Sequence, residues 1–153
     1  MKTLIAYYSR SGSNKKVALE LQKILGADTE ELIDTVNRAG VLGFLMGGRD
    51  AMKQRETVLG PLRYDPANYD LVILSSPIWA GNITPAIRTY INTFRDKFKK
   101  AAFVSVSGMP SNNLTVLPVV ESLTGKKLAA SLLLGAKDLR TDSYIEKLKA
   151  LKF

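Results

Sequence analysis

A chain of 153 residues, 46% of them hydrophobic, is long enough to bury a substantial core. It contains neither cysteine nor histidine, which excludes disulfides, thiol redox chemistry, Cys-ligated iron–sulfur clusters, His metal sites and every His-dependent catalytic triad. Its formal charge of +8, from 22 Lys and Arg against 14 Asp and Glu, suits anionic substrates or acidic protein partners.

Residues 2–8 (KTLIAYY) form a short apolar run rich in branched and aromatic side chains, the pattern of a buried strand rather than a secretory leader. Residues 14–25 place Val17, Leu21, Ile24 and Leu25 on one side at helical spacing, and Gly26 marks the stop. A weaker strand is expected over 29–34. Residues 38–56 break the alternation: four glycines accompany Leu42, Phe44, Leu45 and Met46. This segment reads as an inserted helix-and-turn unit that partly covers a cofactor or partner surface, or else adds ordinary core.

Residues 71–76 (LVILSS) are a continuous apolar run, as in a strand buried on both faces. Pro85 stands where a helix can begin, and Ile87, Tyr90, Ile91 and Phe94 continue its apolar face. A strand over 99–106, a helix near 113–123, a strand near 127–135 and a last amphipathic helix over 144–151 complete the chain. The alternation predicts an α/β fold within a single domain over 1–153, with one five-stranded parallel sheet covered by helices on both sides. No segment is apolar enough over sufficient length to span a bilayer, so a cytoplasmic location is expected. The basic residues are scattered, with no basic helix face or aromatic-interleaved patch, so nucleic acid is not an expected partner. No compact acidic cluster points to a metal.

Three loops emerge at the carboxyl edge of such a sheet, where ligands of open α/β folds lie. In the first, Ser9, Ser11, Ser13 and Asn14 can donate hydrogen bonds, Gly12 permits a tight turn, and Arg10 adds charge. The positive end of the following helix would face an anion held there, as a phosphate would be. The segment has neither the Gly-Lys-Ser/Thr of a triphosphate loop nor the spaced glycines of a dinucleotide fingerprint. The second loop, residues 75–82 (SSPIWAGN), carries the only tryptophan of the chain. The flat indole of Trp79 can cover an isoalloxazine face, while backbone groups of Ala80, Gly81 and Asn82 reach toward its polar edge. The third loop begins Ser107-Gly108-Met109; its glycine allows close approach to a flat ligand. Together the loops point to flavin mononucleotide (FMN). With Cys and His absent, a bound organic cofactor would have to carry the electrons.

The stretches YYSRSGSNKKVA at 7–18, YDLVILSSPIWAGNITPAIRTYI at 69–91 and VSVSGM at 104–109 resemble the flavodoxin family. That resemblance implies a flavodoxin-like three-layer fold with strand order 2-1-3-4-5. It assigns phosphate binding to Ser9, Arg10, Ser11, Gly12, Ser13 and Asn14. It places Pro77, Ile78, Trp79, Ala80, Gly81 and Asn82 around the isoalloxazine and ribityl chain, with Ser107, Gly108 and Met109 at the other ring-contacting loop. The basic charge departs from the acidic flavodoxins, and the third loop lacks the aromatic that often stacks on the second flavin face. The expected function is FMN-dependent electron transfer with redox partner proteins, acidic ones by charge. The alternatives are an NAD(P)H-dependent FMN reductase acting on quinones or similar acceptors, and a flavin-free binding module on the same fold. No residue stands out as a catalytic proton donor.

Overall fold

The computed structural model describes residues 1–108 and 114–153. Its large sheet is built from β1 (Thr3–Tyr7), β2 (Asp28–Glu31), β3 (Leu71–Ser75), β6 (Ala101–Ser107) and β7 (Ser131–Gly135), in the order β2-β1-β3-β6-β7. All four pairings are parallel. Counting only these strands, the order is the expected 2-1-3-4-5, with the reversal between β1 and β3. A two-stranded antiparallel ribbon, β4 (Ile78–Trp79) and β5 (Asn82–Ile83), lies within the second predicted loop.

The sheet is sided by alternation along its central strands. Ile5, Ile73 and Val104 face one way, onto Val17 and Leu21 of α1 (Ser13–Leu25) and Tyr144 and Leu148 of α6 (Ser143–Lys149). Ala6, Val72, Leu74 and Phe103 face the other way, onto Ile87, Tyr90 and Ile91 of α3 (Pro85–Phe94) and Val116 and Val120 of α4 (Val116–Thr124). Every residue of β1 and β3 is buried, and each large aliphatic side chain so enclosed contributes about 1.5–3 kcal/mol. On α3, Arg88 is also buried, and its Nε and Nη2 have no hydrogen-bond partner. Burial lowers its pKa, and the charge of Glu56 works against that.

Boundaries differ from the sequence reading in three places. The second strand ends at Glu31, because the Leu32 amide donates to the Tyr7 carbonyl as the last rung and the chain then turns to bridge Asp34 to Leu59. The last strand begins at Ser131 rather than near 127; Leu128 is held by the Glu121 carboxylate before the ladder starts. A short α5 (Ala136–Arg140), not anticipated, follows directly on β7.

The segment over 38–56 contains α2 (Gly40–Met52), whose orientation speaks against the core reading. The inward face is made of Gly43, Gly47, Asp50 and Ala51, while Val41, Leu42, Phe44, Leu45 and Met46 face outward. The larger apolar side chains are therefore not core. The glycines are required where they stand. A Cβ on Gly43 would lie 2.3 Å from the Arg38 carbonyl carbon, and one on Gly47 2.7 Å from Cζ3 of Trp79.

An ion cluster pins this helix. Arg38, 4% exposed at its side chain, donates from Nε to Asp34 at 2.6 Å and from Nη1 to Asp50 at 2.9 Å. Asp34 also accepts from Thr57 Oγ1 and the Val36 amide. Burial raises the pKa of the Asp50 carboxyl, but the hydrogen bond and charge of Arg38, with Arg49 and Arg55 adding, bring it below the ordinary value of 3.8. A carboxylate depressed in the folded state stabilises that state above its ordinary pKa, and the contribution disappears as pH falls through the lowered value. Asp50→Asn should therefore cost on the order of 2 kcal/mol in urea unfolding near neutrality. The gap to the parent should close below pH 3.8; an unchanged gap there would mean that Asp50 is not the titrating group.

Candidate functional site

Parallel register brings the ends of β1, β3, β6 and β7 to one edge: Tyr7 pairs with Ser75, Ser75 with Val104, and Ser107 with Gly135. A cleft of about 250 Å³ opens there. It is lined by Arg10, Ser11, Ser13 and Asn14 from the first loop and Pro77, Ile78 and Trp79 from the second. Val106, Ser107 and Gly108 at the end of β6, Phe44 of α2 and Ala136 of α5 complete it.

The first loop gathers a set of hydrogen-bond donors. Gly12 adopts φ 90°, a left-handed value that favours glycine, and turns the chain into α1 without any side-chain cap. The first turn of α1 carries no acidic residue, so its free N–H groups and the positive helix end are available to an anion. Ser9 Oγ is buried and has no hydrogen-bond partner, which is costly for a hydroxyl unless a ligand accepts from it. These features fit a phosphate group. Arg10 is exposed, but two of its donors are engaged: Nε donates to the Arg38 carbonyl at 3.1 Å and Nη2 to the Gly40 carbonyl at 3.2 Å. The guanidinium lies over the Phe44 ring, 5.1 Å from its centroid, so Arg10 ties the loop to α2.

Asn14 lines the cleft and also has a structural role. Its Nδ2 donates to the Val106 carbonyl at 3.3 Å, and its Oδ1 accepts from the Val106 amide at 3.0 Å and from Ser75 Oγ at 3.3 Å. The buried amide thus holds the start of α1 against the ends of β3 and β6, with one of its two Nδ2–H donors used on the strand end.

In the second loop the ribbon sets Trp79. Ile78 pairs with Ile83 and Trp79 with Asn82, leaving Ala80 (φ 48°) and Gly81 (φ 77°) as a two-residue turn with both φ values positive, as a tight hairpin requires. Ser76 anchors its base, donating to the Pro77 carbonyl at 2.8 Å and accepting from the Thr84 amide at 3.3 Å. Ala80, Gly81 and Asn82 shape the hairpin but do not line the cleft. The indole of Trp79 meets Tyr8 edge-on, with centroids 5.6 Å apart, and Gly47 lets α2 approach its ring. Burial, with Asp34 adding and Arg38 and Arg10 opposing, raises the Tyr8 hydroxyl above its ordinary value. Tyr7 is pushed up to about 12 by burial and by Glu31. Both stay protonated near neutrality, in keeping with packing roles.

Of the third loop, Ser107 and Gly108 line the cleft, and Met109 lies outside the described residues. Sequence reasoning missed Val106 and Ala136, which carry no distinguishing signal, and assigned Phe44 only to an inserted segment of undecided role.

A family model described as NADPH-dependent FMN reductase matches residues 2–123. The chain belongs to that family. It is an FMN-binding family, and the fold is flavodoxin-like. A flavoprotein from Lactobacillus acidophilus NCFM, solved in complex with FMN, is similar with a TM-score of 0.74 at 21% identity, covering 94% of this chain and 97% of that one. A flavodoxin, WrbA-like protein from Agrobacterium tumefaciens has a TM-score of 0.58 at 15% identity, covering 97% and 94%. Oxidised flavodoxin 1 from Bacillus cereus has 0.54 at 16%, covering 99% and 100%. At these identities the structural likeness speaks for the fold. No curated protein matches the chain. Among the described residues no helix is long and apolar enough to cross a membrane.

Two substitutions test the architecture of the cleft. Asn14→Ala would leave the Val106 amide and carbonyl buried without partners, and should cost about 1–3 kcal/mol in denaturant unfolding. Gly47→Ala forces Trp79 or α2 to shift, and should destabilise by about 1–3 kcal/mol with a displaced Trp79 emission maximum. An unmoved spectrum would show that the helix and the indole are not in contact.

Proposed function

We propose that the protein is an NAD(P)H-dependent FMN oxidoreductase acting on quinones or similar acceptors. The observation that carries this reading is membership of the NADPH-dependent FMN reductase family over residues 2–123. When bound, FMN supplies the redox chemistry, exchanging a hydride with the nicotinamide and two electrons with the acceptor.

The chain's own residues bind, orient and exclude water. In this reading Ser9, Ser11, Gly12 and Ser13 hold the phosphate, with the buried, unpartnered Ser9 hydroxyl and the uncapped start of α1 as support. Arg10 contributes charge at the cleft and holds Phe44 in place. Pro77, Ile78 and Trp79 flank the ring and the ribityl chain. Ala80, Gly81 and Asn82 act one step removed, by fixing the hairpin that presents Trp79. Asn14 keeps the phosphate loop and the β6 end together, and Ser107 and Gly108 form the opposite wall. Met109 retains its assignment at the ring by resemblance alone.

A second reading, an electron carrier for acidic redox proteins, draws on the formal charge of +8. Steady-state oxidation of NADPH by the FMN-loaded protein with a soluble quinone separates the two. Turnover above the rate of free FMN is expected; absence of NADPH and NADH oxidation, with FMN bound, would favour the carrier. Ser9→Ala should raise the FMN dissociation constant about tenfold, as loss of a charge-assisted hydrogen bond does, measured by quenching of flavin fluorescence.

A further inference from the structure

Among the described residues the outward face of α2 is largely uncovered, apart from the Arg10 guanidinium over Phe44. Val41 and Leu42 are each 77% exposed, Leu45 and Met52 60%, Phe44 55% and Met46 41%. These side chains spread over about 200° of the helix circumference at about 100° per residue, far wider than the stripe with which a helix docks onto a core. They form an exposed apolar ridge along α2, with Phe44 also lining the cleft. The first half of α2 is apolar over its whole outward arc, and the second half and the turn after it present Arg49, Lys53 and Arg55, all exposed. The single carboxylate of the helix, Asp50, pairs with Arg38 at 2.9 Å and, at 3.5 Å each, with Arg49 and Arg55, whose side chains stay about half exposed.

We propose that α2 docks the protein onto an anionic membrane surface. The apolar tip at residues 41–46 enters the boundary between headgroups and acyl chains, while Arg49, Lys53 and Arg55 reach the lipid phosphates, as in amphipathic helices that lie in a bilayer interface. The charge of +8 adds long-range attraction to such a surface. A second copy of this chain fits less well, since a symmetric α2 contact would set Arg49, Lys53 and Arg55 against a helix offering no exposed carboxylate. A folded acidic protein would satisfy the charges but would need a deep groove to enclose so wide an apolar arc. Phe44 belongs to both the ridge and the cleft, so the docked cleft opens at the membrane surface.

Co-sedimentation with lipid vesicles tests this without any turnover, so its outcome is separate from that of the NADPH assay. The FMN-loaded protein should bind vesicles of phosphatidylglycerol and phosphatidylcholine in equal parts, bind pure phosphatidylcholine far less, and be released by salt. Arg49→Gln with Lys53→Gln should lower partitioning roughly thirtyfold, and Leu42→Ser with Leu45→Ser at least roughly tenfold. All four positions are exposed and outside the cleft, and circular dichroism of the variants should match the parent. Failure of the parent to bind the mixed vesicles would overturn the proposal, as would full binding by the Leu42→Ser, Leu45→Ser variant. A concentration-dependent dimer that buries Leu42 and Leu45 in place of vesicle binding would reassign the ridge to a second copy.

Discussion

The site depends on the amide of Asn14. One buried side chain, reaching from the first turn of α1, satisfies both backbone groups of Val106 and accepts from Ser75. Parallel strands cannot be joined by tight turns, so their carboxyl ends are brought together by packing across crossovers rather than by local chain geometry. Asn14 fixes that relation at the one place where it matters. The Ser-rich loop is held beside β6 in a setting where the alternative is a pair of stranded peptide groups.

A second constraint acts on α2, and it is of a different kind. This helix has almost no side chains with which to interdigitate, since its inner face is glycine, glycine and alanine around Asp50. Close approach replaces interlocking, and Arg38 between Asp34 and Asp50 supplies the attachment. Two carboxylates around one guanidinium compensate the burial of that charge, which a single pair often does poorly. Arg10 then joins the cluster to the Ser-rich loop through the Arg38 and Gly40 carbonyls. The wall of the cleft and the turn into α1 are therefore mechanically one unit.

Much of this was legible in the residues. The apolar runs at 2–8 and 71–76, the helical spacing after Asn14 and Pro85 at the head of α3 were sufficient for an α/β fold with a parallel sheet, because buried parallel strands and amphipathic helices have distinct periods; the strand order came from the family resemblance. The convergence of the three segments was legible, and Ser11, Ser13, Asn14, Trp79 and Gly108 do line one cleft. Individual roles were less visible. Asn14 looks the same in sequence whether it faces a ligand or a strand end, and only tertiary contact decides. Ala80 and Gly81 were legible as part of a loop, but the tight two-residue hairpin they form was not. In the 38–56 segment, large apolar residues were compatible with a covering unit or with core; the steric demands at Gly43 and Gly47, which turn those side chains outward, are not revealed by composition alone.

The glycine face of α2 has one more consequence, for the order in which the molecule comes apart. Elements locked by many interdigitated side chains open only with the whole domain, whereas one attached through a handful of polar contacts belongs to the low end of the local-opening scale. Amide hydrogens of α2 would then exchange through a partial opening that leaves β1, β3 and β6 protected. The wall of the cleft can swing while the floor stays shut.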